Sequence, residues 1–595
     1  MLVKTRLAAF MATVLLGGGA QAAAQNKGAA VGCAQARWSR AFIADDPVAE
    51  SLNRLLTRYT DYGFSGAMLL VNNGQPLINQ GYGWADAEAG IASSHNTLYD
   101  VASITKTFTA AAILDLESRG KLKTSDKLSL FIRELPAEKE GITLHHLLTH
   151  TAGFPLHTAD IDVNAADRTD DIIGKAAAAK LIHAPGSQYR YSNVGYALLA
   201  HVIESVSGRP WHAYVKTRLI NRAKLQNTYL YGDPLPKGRF LAQGYQGPSE
   251  EDAKPQPPLR NNANSPLIWG KHPLGATGVL SSVTDLQRWW CALNGTMLPQ
   301  EQRRKMFTIQ AENQGYGWNI RQENSVTTRI SRGGSRQPFI SQLTYYPQRS
   351  ALLAFGTNKY VEGMWHELVL RNVDRALNGE PLPMPPAIIK LAEAAVQKHA
   401  GTYFLEGGGK LIIRVSSGVL YVGAEGARAV EPLVYSAGEA PSYLRRLETL
   451  SEQVASALSR TDRRGVEQLG QLAPVELARL EVDWSRWMKT TGGLKSVEVL
   501  GSTPGFDGNT RVFIRLQGAT GQQVIRLLWS AKTNAIVAWG DDIALPAYSR
   551  LWPQSGIDFV TYDFDNGRAN KFRFSEEGGI EVVPFQSALV LRGSR

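Results

Sequence analysis

Cysteine is scarce in this chain: Cys33 and Cys291 are the only two in 595 residues, too few for a disulfide scaffold to stand in for a hydrophobic core. Runs of like charge are missing as well. The 64 Lys and Arg outnumber the 53 Asp and Glu but are scattered, which argues against a nucleic-acid footprint and leaves solubility and weak attraction to polyanions. Beyond residue 24 no stretch offers the ~18 uninterrupted apolar residues of a membrane span. There is no exact internal repeat. A composition of 44% hydrophobic and 20% charged residues excludes a mostly disordered or collagenous chain, and the length exceeds what one hydrophobic core serves.

What is present begins with an address. Met1 to Ala24 carry Lys4 and Arg6, an apolar stretch from Leu7 to Leu16, and small residues ending at Ala22, Ala23 and Ala24. These are the three regions of a secretory signal peptide, so the mature chain is expected to be periplasmic or secreted. Its removal takes away two cations and no acid, lowering the net charge from +11 to +9. Gly32 and Cys33 faintly resemble a lipidation box, but polar Gln25, Asn26 and Lys27 stand between them and the apolar core, which argues against a stable membrane anchor. An oxidising compartment permits a Cys33–Cys291 bridge; equally, Cys291 in the apolar helix-like LQRWWCAL reads as a buried thiol.

From Phe64 the chain alternates strands and helices. GAMLLVNNGQPLINQGYGW predicts a hairpin turning at Asn72, Asn73 and Gly74. A long helix begins near Ser103 and stops at Gly120, a second runs around Tyr196 to Val206, and a third spans Thr284 to Leu293. SQLTYYP and SALLAFGTN predict another hairpin. Strands at both ends with helices between them point to one α/β domain whose sheet closes with both termini. Pro381, Pro383, Pro385 and Pro386 then mark a semi-rigid linker. Beyond it, GTYFLEGGGKLIIRVSSGVLYV alternates like hairpins, with Gly407, Gly408 and Gly409 as a turn. Helical spacing follows at Leu444, Leu447, Leu450, Val454 and Leu458 and again through Val475 to Trp484, and four strand-like runs come next. The expected division is residues 25–45 as an extension, 46–377 as the first domain, 378–392 as linker, 393–440 as a β-hairpin or barrel-like segment, 441–545 as an inserted α+β unit and 546–595 as a closing β segment.

Two short motifs carry chemistry. VASITKTFTAA puts Ser103 and Lys106 three residues apart, on one helix face with Cβ atoms roughly 5–6 Å apart. A serine hydroxyl needs a base to become a nucleophile, and a desolvated lysine with a lowered pKa serves as one. Alone the pair is weak, since the same spacing recurs at Ser118 and Lys121 across the helix stop. Downstream, PGSQYRYSNVGYALLA presents Tyr191, Ser192 and Asn193 before a helix; a phenol can shuttle the nucleophile's proton and an amide can hold both lysine and substrate. Read singly, each motif is equally a helix cap beside a core residue. His145, His146 and His150 cluster without the glutamate of a zinc-protease pattern and are not read as metal ligands, while Trp289 and Trp290 are read as core.

Together, in this order, the motifs resemble the serine β-lactamase and penicillin-binding superfamily, in its class C-related branch of esterases, D-aminopeptidases and D,D-carboxypeptidases. LHHLLTHTAGF, GATGVLSSVTDLQRW and YGWNI extend the resemblance, which covers about Asp46 to Leu377. It implies an α/β (α+β) β-lactamase/transpeptidase-like domain, an antiparallel sheet flanked by helices, followed by a mostly β C-terminal region whose insertion resembles a cone-shaped α+β fold. It implies Ser103 as acylated nucleophile, Lys106 as base partner, Tyr191 as proton relay and Asn193 as substrate-orienting amide. The third motif departs from the family's Lys or His, then Thr or Ser, then Gly: here stand Arg332, Gly333 and Gly334. Arg332 is then expected to grip a substrate carboxylate, the alternative being an ion pair with a nearby acid, and the second oxyanion-binding N–H falls to Ser335. Gly333 offers no hydroxyl, which speaks against efficient β-lactam hydrolysis. The implied function is a serine hydrolase without metal or organic cofactor acting on a small-molecule or peptide acyl substrate; the alternatives are a penicillin-recognising sensor that acylates without turnover and an interaction protein using the domain as scaffold.

Overall fold

The computed structural model describes Cys33 and residues 40–595, apart from 133–134, 157–168, 248–253, 256–274, 362–363, 417, 436–440, 506–507, 531, 542–544, 547–548, 565–566 and 588. The signal peptide expected at residues 1–24 lies outside the described residues. Among the described residues no helix is long and apolar enough to cross a membrane. The chain forms two compact units, Met1–Leu382 and Pro383–Arg595.

The first unit is built on a seven-stranded antiparallel sheet. Its strands are β1 (Phe42–Ile43), β2 (Gly66–Asn72), β3 (Gln75–Tyr82), and, after a long helical excursion, β7 (Asn319–Glu323), β8 (Val326–Arg336), β9 (Phe339–Tyr346) and β10 (Ala351–Thr357), in the order β1-β3-β2-β10-β9-β8-β7. The β2–β3 turn forms because Asn73 and Gly74 both adopt positive φ, the backbone that matches strand twist in a two-residue hairpin. A small second sheet, β4 (Tyr99–Asp100), β6 (Val279–Ser281) and β5 (Thr228–Leu230) in the order β4-β6-β5, leads into the chemistry.

Helices cover the sheet: α1 (Pro47–Asp61), α2 (Thr105–Ser118), α3 (Asn193–Ser207), α4 (Val283–Asn294) and α5 (Met364–Leu377). Asp46 caps α1 by accepting from the N–H of Val48 and Ala49, with Pro47 at the first helical position. α2 is buried all round from Thr105 to Leu116, which makes it the central helix of the domain. Trp289 of α4 stacks on Phe108 of α2 with centroids 4.0 Å apart, and Trp290 is buried against Phe307, Trp318 and Tyr345, so both are core. The open question about the cysteines is resolved: Cys33 and Cys291 are disulfide-bonded, with Cα atoms 5.4 Å apart, and the buried-thiol reading falls.

In the second unit the alternating segments form the barrel expected of them. Strands β11 (Gly401–Leu405), β12 (Lys410–Ser416), β13 (Val419–Glu425), β18 (Ser549–Pro553), β19 (Asp558–Asp563), β20 (Arg568–Phe574), β21 (Gly579–Val583) and β22 (Leu591–Ser594) form a closed barrel, β22 pairing with β11. Eight strands leave an interior that side chains can fill. Tyr403, Leu411, Ile413, Leu420, Val422, Phe559, Phe572 and Phe574 are among those that form its core. Between β13 and β18 stand helices α6 (Leu444–Ser459) and α7 (Pro474–Thr491) on a four-stranded antiparallel sheet, β14 (Ser496–Pro504), β15 (Asn509–Gln517), β16 (Gln522–Ser530) and β17 (Ile536–Gly540). Sequence reasoning missed the short helices Ala427–Val434 and Arg463–Gly470, the first because Pro432 sits inside it.

Candidate active site

The structure brings all seven sequence-identified residues to the junction of α2, α3 and β8. Ser103 is not on α2 itself, as its spacing to Lys106 implied, but in a single 3₁₀ turn, Ala102–Ile104, that runs into it. The preceding Ala102 has φ +43°, a region alanine rarely adopts. One turn later Lys106 is fully buried, and its ammonium donates to three acceptors: Ser103 Oγ at 3.1 Å, Asn193 Oδ1 at 2.7 Å and the Ala276 carbonyl at 3.1 Å. Three donors meeting three acceptors satisfy a buried lysine completely. The Ala276 carbonyl reaches it because Gly275 has φ +92° and packs so closely on α3 that an added Cβ would lie 2.5 Å from the Tyr196 carbonyl oxygen.

Tyr191 stands in the extended segment before α3, where Ser192 caps the helix through the N–H of Gly195 and Asn193 opens it. Its hydroxyl is 2.8 Å from Ser103 Oγ and accepts from Arg332 Nη2 at 2.9 Å. Burial alone would raise this phenol; the charges of Arg332 and Lys106 and the hydrogen bond with Ser103 outweigh it and lower Tyr191 to about 7. Lys106 is lowered to about 8, chiefly by burial, against the pull of Tyr191 and with repulsion from Arg332. Two neighbouring groups titrating this close to neutrality act as one coupled pair.

Arg332 stands beside both the nucleophile and the phenol. It is 2% exposed, and two of its three nitrogens are occupied: Nε donates to the Ser103 carbonyl at 3.1 Å and Nη2 to Tyr191. These two bonds place the cation beside the phenol and against the nucleophile's backbone. Gly334 is required sterically, since a Cβ there would lie 2.1 Å from the Val101 carbonyl oxygen and 3.1 Å from Ser103 N. β8 therefore runs against the nucleophile's backbone. Arg336 pairs with Phe339 around a two-residue turn, so ladder alternation turns the N–H of Ser335 away from β9, toward the edge where Ser103 lies. A Cβ at Gly333 would lie 2.8 Å from Gln342 Oε1, so a side chain there requires the end of Gln342 to move.

Sequence reasoning missed one contributor it had named for another purpose. His150 is buried, and its Nδ1 accepts from the N–H of Ser192 at 3.1 Å while its ring lies 4.5 Å from that of Tyr191. Burial, and then the charges of Arg332 and Lys106, hold it well below the ordinary histidine range, so it is neutral. His145 instead meets Tyr316 at 2.8 Å. Among the described residues no group of three metal-ligating side chains converges.

Residues 52–368 match the family described as Beta-lactamase, more than half of the chain. The chain belongs to that family. Among its relatives is the putative penicillin-binding protein PbpX of Bacillus subtilis, 32% identical over 258 residues, which cover 43% of this chain and 62% of the relative's length. Penicillin-binding protein 4* of the same organism is 26% identical over 420 residues, covering 66% of this chain and 92% of its own. In fold, the similarity extends further. The octameric penicillin-binding protein homologue from Pyrococcus abyssi is superposable over 92% of this chain and 100% of its own at a TM-score of 0.50 and 18% identity.

Proposed function

We propose that this Beta-lactamase-family chain is an exported serine hydrolase that cleaves an ester, amide or D-amino acid peptide bond through an acyl-enzyme on Ser103. The observation that carries the reading is a continuous hydrogen-bond chain, in which Lys106 donates to Ser103 Oγ, that hydroxyl bonds the Tyr191 hydroxyl, and Arg332 donates to the Tyr191 hydroxyl. Nucleophile, base and base-stabilising cations stand within hydrogen-bond reach before substrate arrives. Tyrosinate at Tyr191 takes the proton of Ser103 Oγ as that oxygen bonds to the acyl carbon, and the resulting oxyanion accepts from the N–H groups of Ser103 and Ser335, each worth roughly 3 kcal/mol at the transition state. Collapse breaks the bond to the leaving group, which takes the proton from Tyr191. The phenolate then takes a proton from a water that attacks the acyl carbon, and collapse breaks the bond to Ser103 Oγ, which takes that proton back from Tyr191. The amide oxygen of Asn193 accepts from Lys106, which fixes the side chain beside the nucleophile, where it orients the substrate. The disulfide supports an oxidising, extracytoplasmic location.

A second reading, a penicillin-recognising sensor, is favoured by Gly333, where no hydroxyl is available to help hold a β-lactam carboxylate. A panel of p-nitrophenyl esters, D-alanyl peptides and cephalosporins, run beside a fluorescent penicillin, separates the two. Burst kinetics followed by steady release supports the hydrolase; stable labelling at Ser103 with no turnover of any substrate supports the sensor. Undiminished ester hydrolysis by Ser103→Ala would refute both.

A further inference from the structure

A second charged cluster lies directly behind the nucleophile, and the reaction as described does not use it. Asp100, on β4, is fully buried. Its Oδ1 accepts from the N–H of Ala102 at 2.8 Å, and its Oδ2 accepts from the hydroxyl of Tyr231 and pairs with Arg336 at 3.5 Å. Arg336 closes the triangle by donating to the Tyr231 hydroxyl, with its guanidinium carbon 5.2 Å from that ring. Each member comes from a different segment. Asp100 ends the strand before the 3₁₀ turn, Tyr231 follows β5, and Arg336 ends β8 one residue beyond Ser335.

Buried ion pairs contribute little net stability, because desolvating both charges offsets their attraction; their best-attested use is to fix register. Here the register being fixed is specific. At one end the Asp100 carboxylate holds the N–H of Ala102, the residue at φ +43° whose conformation aims the backbone N–H of Ser103. Such backbone persists only where the surroundings over-determine it. At the other end Arg336 anchors the stretch of β8 that carries the N–H of Ser335. We propose that Asp100, Tyr231 and Arg336 form a brace that sets the spacing between the two oxyanion-binding N–H groups, and that all three are positioning residues for acyl transfer. The inference rests on the hydrolase reading above.

The test uses the full-length protein with p-nitrophenyl acetate and its thionoester, whose sulfur accepts hydrogen bonds poorly. Arg336→Met and Asp100→Asn should each lower kcat for the oxygen ester roughly 10- to 100-fold, as small misplacements of catalytic donors do. KM should stay within about threefold, since the interaction lost is made in the transition state. The oxygen ester should lose at least about fivefold more than the thionoester, and Arg336→Lys, which keeps the ion pair, should recover most of the rate. Should Asp100→Asn fail to fold, Arg336→Met carries the test, its side chain being partly exposed. Parent-like kcat, a loss confined to KM, or equal losses on both esters would overturn the brace. A parent without Ser103-dependent turnover removes the hydrolase reading and the brace with it, whereas an active parent matched by its variants removes the brace alone.

Discussion

Replacing Arg332 with methionine removes the cation 2.9 Å from the Tyr191 hydroxyl while keeping much of the buried side-chain volume. The guanidinium carbon is 5.2 Å from the ring centroid. At an effective dielectric constant of about 20, unit charges at about 5 Å interact by about 3 kcal/mol, or about two pKa units. With Tyr191 at about 7 in the parent, the variant's phenol moves up to about 9. Lys106 loses a repulsive neighbour in the same step and stays protonated, so the direction is not offset. If tyrosinate is the base, kcat/KM rises with pH through the Tyr191 titration. The ascending limb of the pH profile should therefore move by about two units, and the rate at pH 7 should fall about 50-fold as the tyrosinate fraction drops from about a half to about one per cent. Stopped-flow hydrolysis of a p-nitrophenyl ester between pH 5.5 and about 10, corrected for spontaneous hydrolysis, reads both. A uniform loss with an unmoved limb would refute the assignment of Arg332 to the phenol and return it to substrate binding.

Three further outcomes follow from the geometry. Gly334→Ala forces a methyl against the Val101 carbonyl and should lower kcat at least about tenfold while costing on the order of 1–3 kcal/mol of stability, measured by ester turnover beside thermal unfolding. Folded His150 has a lowered pKa, so the unfolded chain binds the extra proton first; the stability this residue contributes is present above its ordinary value of 6.5 and is lost as pH falls below it, by up to about 1.4 kcal/mol per unit. His150→Gln, which keeps an acceptor for the Ser192 N–H, should flatten that acid-side slope in urea unfolding relative to the parent. Cys33→Ser opens a loop of 258 residues and should cost on the order of 2–4 kcal/mol, read as a lower unfolding midpoint that dithiothreitol reproduces in the parent but not in the variant.

The parts of the site that sequence reveals are those whose partners lie a few residues apart. Ser103 and Lys106 are three residues apart, and Tyr191 and Asn193 two, so their joint function shows as motif spacing. Arg332 was reachable through the hairpin that follows it, yet its partner was not, because the choice between substrate carboxylate and phenol depends on the direction of a side chain after β8 docks against Ser103. His150, the Ala276 carbonyl and the Asp100–Tyr231–Arg336 cluster act across 42, 170 and more than 100 residues, and nothing local marks them. The fold divides in the same way. Hairpins and single helices were legible from Asn-Gly turns and apolar periodicity. The barrel-like character of the C-terminal region came from the family resemblance, whereas the pairing that closes it, β22 on β11, joins the two ends of nearly the whole second unit and has no local mark.

The central claim is that Ser103 is acylated, and intact-protein and peptide mass spectrometry after a short pulse with a fluorophosphonate and with a p-nitrophenyl ester tests it most directly. One adduct per chain is expected on the peptide containing Ser103, absent in Ser103→Ala and formed more slowly in Lys106→Ala and Tyr191→Phe. An adduct on any other residue, or one that survives in Ser103→Ala at the parent's rate, would contradict it.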